Sequence, residues 1–189
     1  MSRPVFLIIA GPNGAGKTTA AEPLLDVMGI EEYVNADVIA QGFSMLHAED
    51  MAFTAGRLAL QRIHSLIDEQ RSFAFETTLA SRSIARLIAR AKAGGFHTRL
   101  LFLALSSPEM AVDRVARRVE MGGHDIPKDT IIRRYRRGLK NFFETYADMV
   151  DEWRFYDNSS GLSSLATGPS NRGNMDRLNA YRKQIDDRR

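Results

Sequence analysis

Val5-Phe6-Leu7-Ile8-Ile9-Ala10-Gly11-Pro12-Asn13-Gly14-Ala15-Gly16-Lys17-Thr18 is the stretch that decides the fold. Its first six residues are apolar without alternation, the pattern of a strand buried on both faces in a parallel sheet. Gly11-Pro12 ends the run. From Gly11 to Thr18 the chain matches G-x-x-x-x-G-K-[ST] at every fixed position, and a helix is expected from Lys17 to Met28. Between a buried strand and a helix, such glycines let backbone N–H groups turn inward around phosphate oxygens. The helix N-terminus adds partial positive charge. Lys17 is placed to reach the β- and γ-phosphates, and Thr18 to offer its hydroxyl to Mg²⁺. The expected nucleotide contacts are Gly11, Pro12, Asn13, Gly14, Ala15, Gly16, Lys17, Thr18 and Thr19, with ATP and Mg²⁺ as cofactors. The motif alone leaves open what the nucleotide is used for.

Outward from this stretch, apolar strand segments alternate with helical ones. Tyr33-Val34-Asn35, Ser72 to Phe75, Thr98 to Leu105 and Arg154-Phe155-Tyr156 are the further strand candidates. Helices are expected over Ala52–Glu69, Ser83–Ala93, a stretch opening at Ser107-Pro108-Glu109, and Lys128–Met149. Alternation of this kind implies an α/β fold with right-handed crossovers. The expectation is a three-layer P-loop NTPase fold with a mostly parallel, twisted sheet of about five strands and a helical lid. Residues 1–158 would form this P-loop kinase-like domain, with the lid at about 114–137. Residues 159–189, rich in Ser, Gly, Asn and charge, read as a polar tail, partly disordered or loosely helical.

The 189 residues suit one domain, and 44% hydrophobic against 26% charged residues allow a real core. A formal net charge of +3 argues for neither nucleic acid nor a membrane surface. With no cysteine, disulfides and thiolate metal sites are excluded. No apolar run approaches the roughly 20 residues a bilayer span needs, so a cytoplasmic protein without a membrane partner is expected.

Three further features follow strands or helices that would border the same cleft. In Asn35-Ala36-Asp37, Asp37 is placed to accept the proton of an attacking hydroxyl or to hold Mg²⁺; it is equally suited to cap the stretch Val38-Ile39-Ala40. In Glu76-Thr77-Thr78, Glu76 and Thr78 would face one side if the chain stays extended, and so could grip sugar hydroxyls; a threonine capping the next helix is the alternative. Arginines crowd the segment from Arg114 to Arg137, with Arg114 and Arg118 one turn apart. Phosphoryl transfer needs such cations around the equatorial oxygens. Gly122-Gly123-His124-Asp125-Ile126-Pro127 between the two helices suits a lid. At 100° per residue Arg134 flanks the apolar stripe centred on Tyr135, while Arg133 and Arg137 point away, which makes Arg134 the candidate on that helix.

Taken in order, Gly11 to Thr19, Asn35-Ala36-Asp37, Glu76-Thr77-Thr78 and Arg114 through Arg134 resemble the zeta toxin family of P-loop kinases. The resemblance is to its chromosomal members, a group also labelled ABC-type ATPases, although no L-S-G-G-Q signature occurs here. It implies an ATP- and Mg²⁺-dependent kinase acting on a nucleotide sugar, UDP-N-acetylglucosamine, with an antitoxin protein as a partner. By the same resemblance Asp37 is the general base, Glu76 and Thr78 hold the sugar, and Arg118 is the transition-state arginine. His124 stands where plasmid toxins carry a second catalytic arginine, and is counted with the substrate contacts; Arg134 or Arg133 is the candidate to replace that charge. Two other readings remain: a P-loop kinase or ATPase directed at nucleic acid, and a nucleotide-gated regulator without transfer chemistry. The first lacks aromatic residues interleaved with the arginines, Tyr135 excepted.

Overall fold

A computed structural model describes residues 3–42, 48–123, 125–169 and 172–186. Its framework is a sheet of seven strands in the order β2-β3-β1-β4-β5-β6-β7. The strands are β1 (Val5–Ala10), β2 (Glu32–Asn35), β3 (Phe73–Thr77), β4 (His97–Ala104), β5 (Glu152–Asp157), β6 (Ser163–Gly168) and β7 (Arg172–Gly173). The first five are mutually parallel, and β6 and β7 add antiparallel edges. Val5–Ala10 is central, paired with β3 on one side and β4 on the other, and Phe6 through Ala10 are buried. A strand enclosed on both sides and both faces has no solvent face to mark with polar residues, which explains its unbroken apolar run.

The helices are α1 (Lys17–Met28), α2 (Ala36–Gln41), α3 (Ala48–Asp68), α4 (Ile84–Ala93), α5 (Pro108–Glu120), α6 (Lys128–Asn141), α7 (Ala147–Met149) and α8 (Met175–Asp186). The crossover from β1 to β2 runs across the sheet in the opposite sense to those from β2 to β3, β3 to β4 and β4 to β5. Right-handed connection therefore puts α1 on one face and α3 to α6 on the other, the expected three layers.

Three expectations are revised. The helix read over Lys128–Met149 is α-helical only to Asn141; Phe142–Tyr146 is a π-helical turn before α7. The wider turn brings Phe142 to Phe102 and Trp153 (ring centroids 5.0 and 5.5 Å), while the Tyr146 hydroxyl donates to the Ser81 carbonyl at 2.6 Å. The helix expected over Ala52–Glu69 starts earlier, at Ala48, and its core face is Ala55, Ala59, Ile63, Leu66 and Ile67, whereas Phe53 is 77% exposed. Within residues 159–189, expected as a polar tail that is partly disordered or loosely helical, the described residues form the expected helix as α8 but also strands: β6 pairs with β5, and α8 buries Leu178 and Tyr181 against the core. Few apolar residues are needed there, because Leu165, Ala166, Leu178 and Tyr181 all point inward.

Candidate active site

The carboxyl ends of β1, β2 and β3 lie side by side, with Asn35 opposite Glu76 and Ala10 opposite Thr77. This register carries the Glu76 side chain beneath the phosphate loop that leaves β1. Its Oε2 accepts from the Thr18 hydroxyl at 2.9 Å and from the Tyr33 hydroxyl. Its Oε1 lies 3.8 Å from Lys17 Nζ, both side chains being nearly buried. Asn35 Nδ2 donates to the Tyr33 oxygen at 3.3 Å. Burial, and then the Glu76 carboxylate, push the Tyr33 phenol well above its ordinary value, so it remains a donor throughout the physiological range. Sequence reading had Tyr33 only as a strand residue.

Lys17 donates to the Pro12 carbonyl at 3.0 Å. Burial pushes its ammonium below the ordinary lysine range; Glu76 and Asp37 oppose the shift, and Arg118 and Arg134 add to it. Of the charged candidates Glu76 is the one paired with this lysine, and Asp37, Arg118 and Arg134, from three further segments, act on its charge electrostatically. Asp37 is exposed in the first turn of α2. The cap of α2 is Asn35, whose Oδ1 accepts from the N–H groups of Asp37 (2.9 Å) and Val38 (3.4 Å). Asp37 is therefore not the cap that one reading made of it, and its carboxylate stays available.

Gly122 and Gly123 close α5 by donating to the Val119 and Arg118 carbonyls, both at 2.9 Å. A Cβ on Gly123 would come 2.6 Å from Arg118 Cγ, so the glycine lets the turn pack over that side chain. Arg134 is partly buried, and the neighbouring Arg133 and Arg137 are exposed. His124 lies outside the described residues. Thr77, not Thr78, makes the local turn: its Oγ1 accepts from the Leu79 N–H at 3.0 Å. Neither threonine caps α4, which begins after Ser83. Leu79 then has φ 59°, and Asn141 Nδ2 donates to its carbonyl at 2.8 Å, tying α6 to the end of β3. Thr78 is half-buried in this turn, with α6 against its carbonyl.

Within the loop, Asn13 is 4% exposed and its Oδ1 is buried with no partner among the described residues. Such an acceptor costs free energy until a donor arrives. Arg114, in the arginine-rich segment, is a brace: it donates to the carbonyls of Asn158 and Ser159 at 2.8 Å and to that of Gly14 at 3.4 Å.

A phosphate loop on the first strand, a 2-3-1-4-5 parallel core and a carboxylate paired with the loop lysine define a P-loop kinase. The model of the zeta toxin family matches residues 1–161, and the chain belongs to that family, whose members are phosphotransferases. An uncharacterized protein of Haemophilus influenzae is 30% identical over 129 residues, 68% of this chain and 91% of that one. Among solved structures, one of the PezAT chromosomal toxin–antitoxin system of Streptococcus pneumoniae superposes with TM-score 0.72 at 18% identity, over 95% of this chain and 77% of that one. AvrRxo1-ORF1 with AvrRxo1-ORF2 gives TM-score 0.76 at 16% identity, over 97% of this chain and 64% of that one. A structure of the same pair with ATP gives 0.70 at 15%, with the same coverage. No helix among the described residues is long and apolar enough to cross a membrane.

Proposed function

We propose that the protein transfers the γ-phosphoryl group of ATP to a hydroxyl of a nucleotide sugar, with UDP-N-acetylglucosamine as the leading acceptor. The single observation that carries the reading is the exposed Asp37 carboxylate, left uncapped at the carboxyl end of β2, beside the strand that sets Glu76 against Lys17. A nucleotide-holding domain has no need of a free carboxylate across the cleft from the loop lysine, whereas a kinase does.

The acceptor hydroxyl loses its proton to Asp37 while its oxygen attacks the γ-phosphorus. The bond from that phosphorus to the β,γ-bridging oxygen breaks, and ADP leaves with the bond's electron pair. Lys17 exchanges the Pro12 carbonyl for phosphate oxygens. Arg118 and Arg134 neutralise the charge that spreads over the equatorial oxygens, Arg134 replacing the charge that plasmid toxins draw from the arginine at the position His124 holds here. Glu76 takes a role different from a sugar contact. By accepting the Thr18 hydroxyl proton it turns a lone pair of that oxygen outward, which suits Mg²⁺; when bound, the ion would be held by Thr18 with Glu76 behind it and would neutralise the β- and γ-phosphate oxygens. Thr78 and His124 stay as acceptor contacts, and an antitoxin is the partner that the family suggests.

The test incubates the protein with γ-labelled ATP and a panel of nucleotide sugars. Label is expected on UDP-N-acetylglucosamine, and Asp37→Asn should cut transfer by about 10²–10⁴-fold with ATP affinity within about twofold. Label released only to water would defeat the proposal.

A further inference from the structure

The matched family segment stops at residue 161, and β6, β7 and α8 all follow it. Hydrogen bonds nevertheless run from α8 to the phosphate loop. Arg177 Nη2 donates to Asp157 Oδ2 at 2.9 Å. Asp157 Oδ1 accepts from the Ser159 N–H (2.8 Å) and the Ser159 hydroxyl (2.6 Å). The Ser159 oxygen in turn accepts from the Ser106 N–H at 2.8 Å, and Gln184 of α8 donates to the Ser106 carbonyl at 3.2 Å. The turn so fixed presents Asn158, whose Nδ2 donates to the Ala15 carbonyl at 2.9 Å. The same amide nitrogen lies 2.9 Å from where a Cβ of Gly16 would be, so the contact is close-packed as well as bonded.

A trans peptide points its C=O and N–H in opposite directions. Pinning the Ala15 carbonyl on the outer side of the loop therefore aims the Gly16 N–H inward, where a phosphate oxygen would sit. We infer that the C-terminal β6-β7-α8 unit orders the phosphate loop through the Asp157–Ser159 turn: Asn158 positions the Ala15–Gly16 peptide for the triphosphate, and Arg177 acts through Asn158. The inference rests on the loop holding ATP and not on the identity of the acceptor.

Equilibrium binding of ATP to the full chain tests it, in variants kept at least about 15 °C below their measured melting temperatures. One lost hydrogen bond corresponds to about tenfold, so Asn158→Ala should weaken ATP binding about tenfold and Arg177→Ala, acting at one remove, about three- to fivefold. Arg177→Lys should restore affinity to within about twofold of the parent, since it keeps a donor for Asp157. Because both act through one link, the double variant should bind ATP no more weakly than Asn158→Ala alone. Unchanged affinity in Arg177→Ala, or losses that multiply in the double variant, would overturn the inference. An acceptor panel that stays unlabelled defeats the kinase proposal while leaving this binding comparison intact.

Discussion

Glu76 is the residue through which the catalytic loop and the second strand communicate. Thr18 and Tyr33 both donate to one of its oxygens and Lys17 faces the other, so the carboxylate has little freedom to turn. Tyr33→Phe keeps the ring and removes the donor. It should lower kcat by about five- to twentyfold and raise the Mg²⁺ concentration needed for half-maximal rate, with ATP affinity within about twofold. Titrating the rate against Mg²⁺ checks this. Lys17 works in the other sense. Its ammonium is held below the ordinary lysine value, so the charged form is the one the fold disfavours. That penalty is in full force below the folded-state pKa and fades as pH rises through it toward the unfolded value. Lys17→Met should therefore abolish transfer and yet raise the melting temperature at neutral pH. A lower melting temperature would show that Glu76 needs the charge more than burial opposes it.

At the scale of elements, the distance between α6 and the end of β3 sets where Arg134 stands. Gly138 packs so closely that a Cβ would come 2.3 Å from the Thr78 carbonyl oxygen, and Asn141 bonds the next carbonyl along. Gly138→Ala should push α6 outward. The expected result is a loss of about 2–3 kcal/mol in stability together with a fall in kcat, since the arginine moves with its helix. Urea unfolding and steady-state kinetics on the same variant read both effects. The π-helical turn at Phe142–Tyr146 belongs to this scale too. Nothing in the apolar stripe of Lys128–Met149 announces it, because the aromatic residues satisfy a helical pattern whether or not one turn is widened.

For the whole molecule, the amino-terminal ends of β4 and β5, away from the phosphate loop, carry the acid sensitivity. Asp151, entering β5, accepts from the Thr98 N–H and hydroxyl, both at 2.8 Å, and pairs with Lys92 at 3.0 Å. Burial alone would raise its pKa, but these donors outweigh it and bring the carboxyl down to about 2. A depressed carboxyl stabilises the fold above its unfolded value near 3.8, and the contribution is lost as pH falls from about 4 to about 2. Asp151→Asn should therefore destabilise the protein at pH 7 by roughly 1–2 kcal/mol and flatten the fall of melting temperature between pH 4 and pH 2. A parallel, equally steep fall in the variant would point to other carboxylates.

By itself the sequence determined the local chemistry: the buried first strand, the phosphate loop and the α/β alternation. Each is written in contiguous residues, where hydrophobic run, glycine spacing and helix start act within a few positions of one another. It also marked Asp37, Glu76, Arg118 and Arg134 as charges worth following. Only the tertiary structure set Glu76 against Lys17, since the two come from segments whose separation is set by strand order. The same holds for Asn35 taking the cap in place of Asp37, for Arg114 bracing the turn at Asn158, and for a polar-looking C-terminal segment that extends the sheet. A hydrogen bond between residues 143 positions apart, such as Asn158 to Ala15, depends on how distant strands register, and composition averaged along the chain carries no record of it.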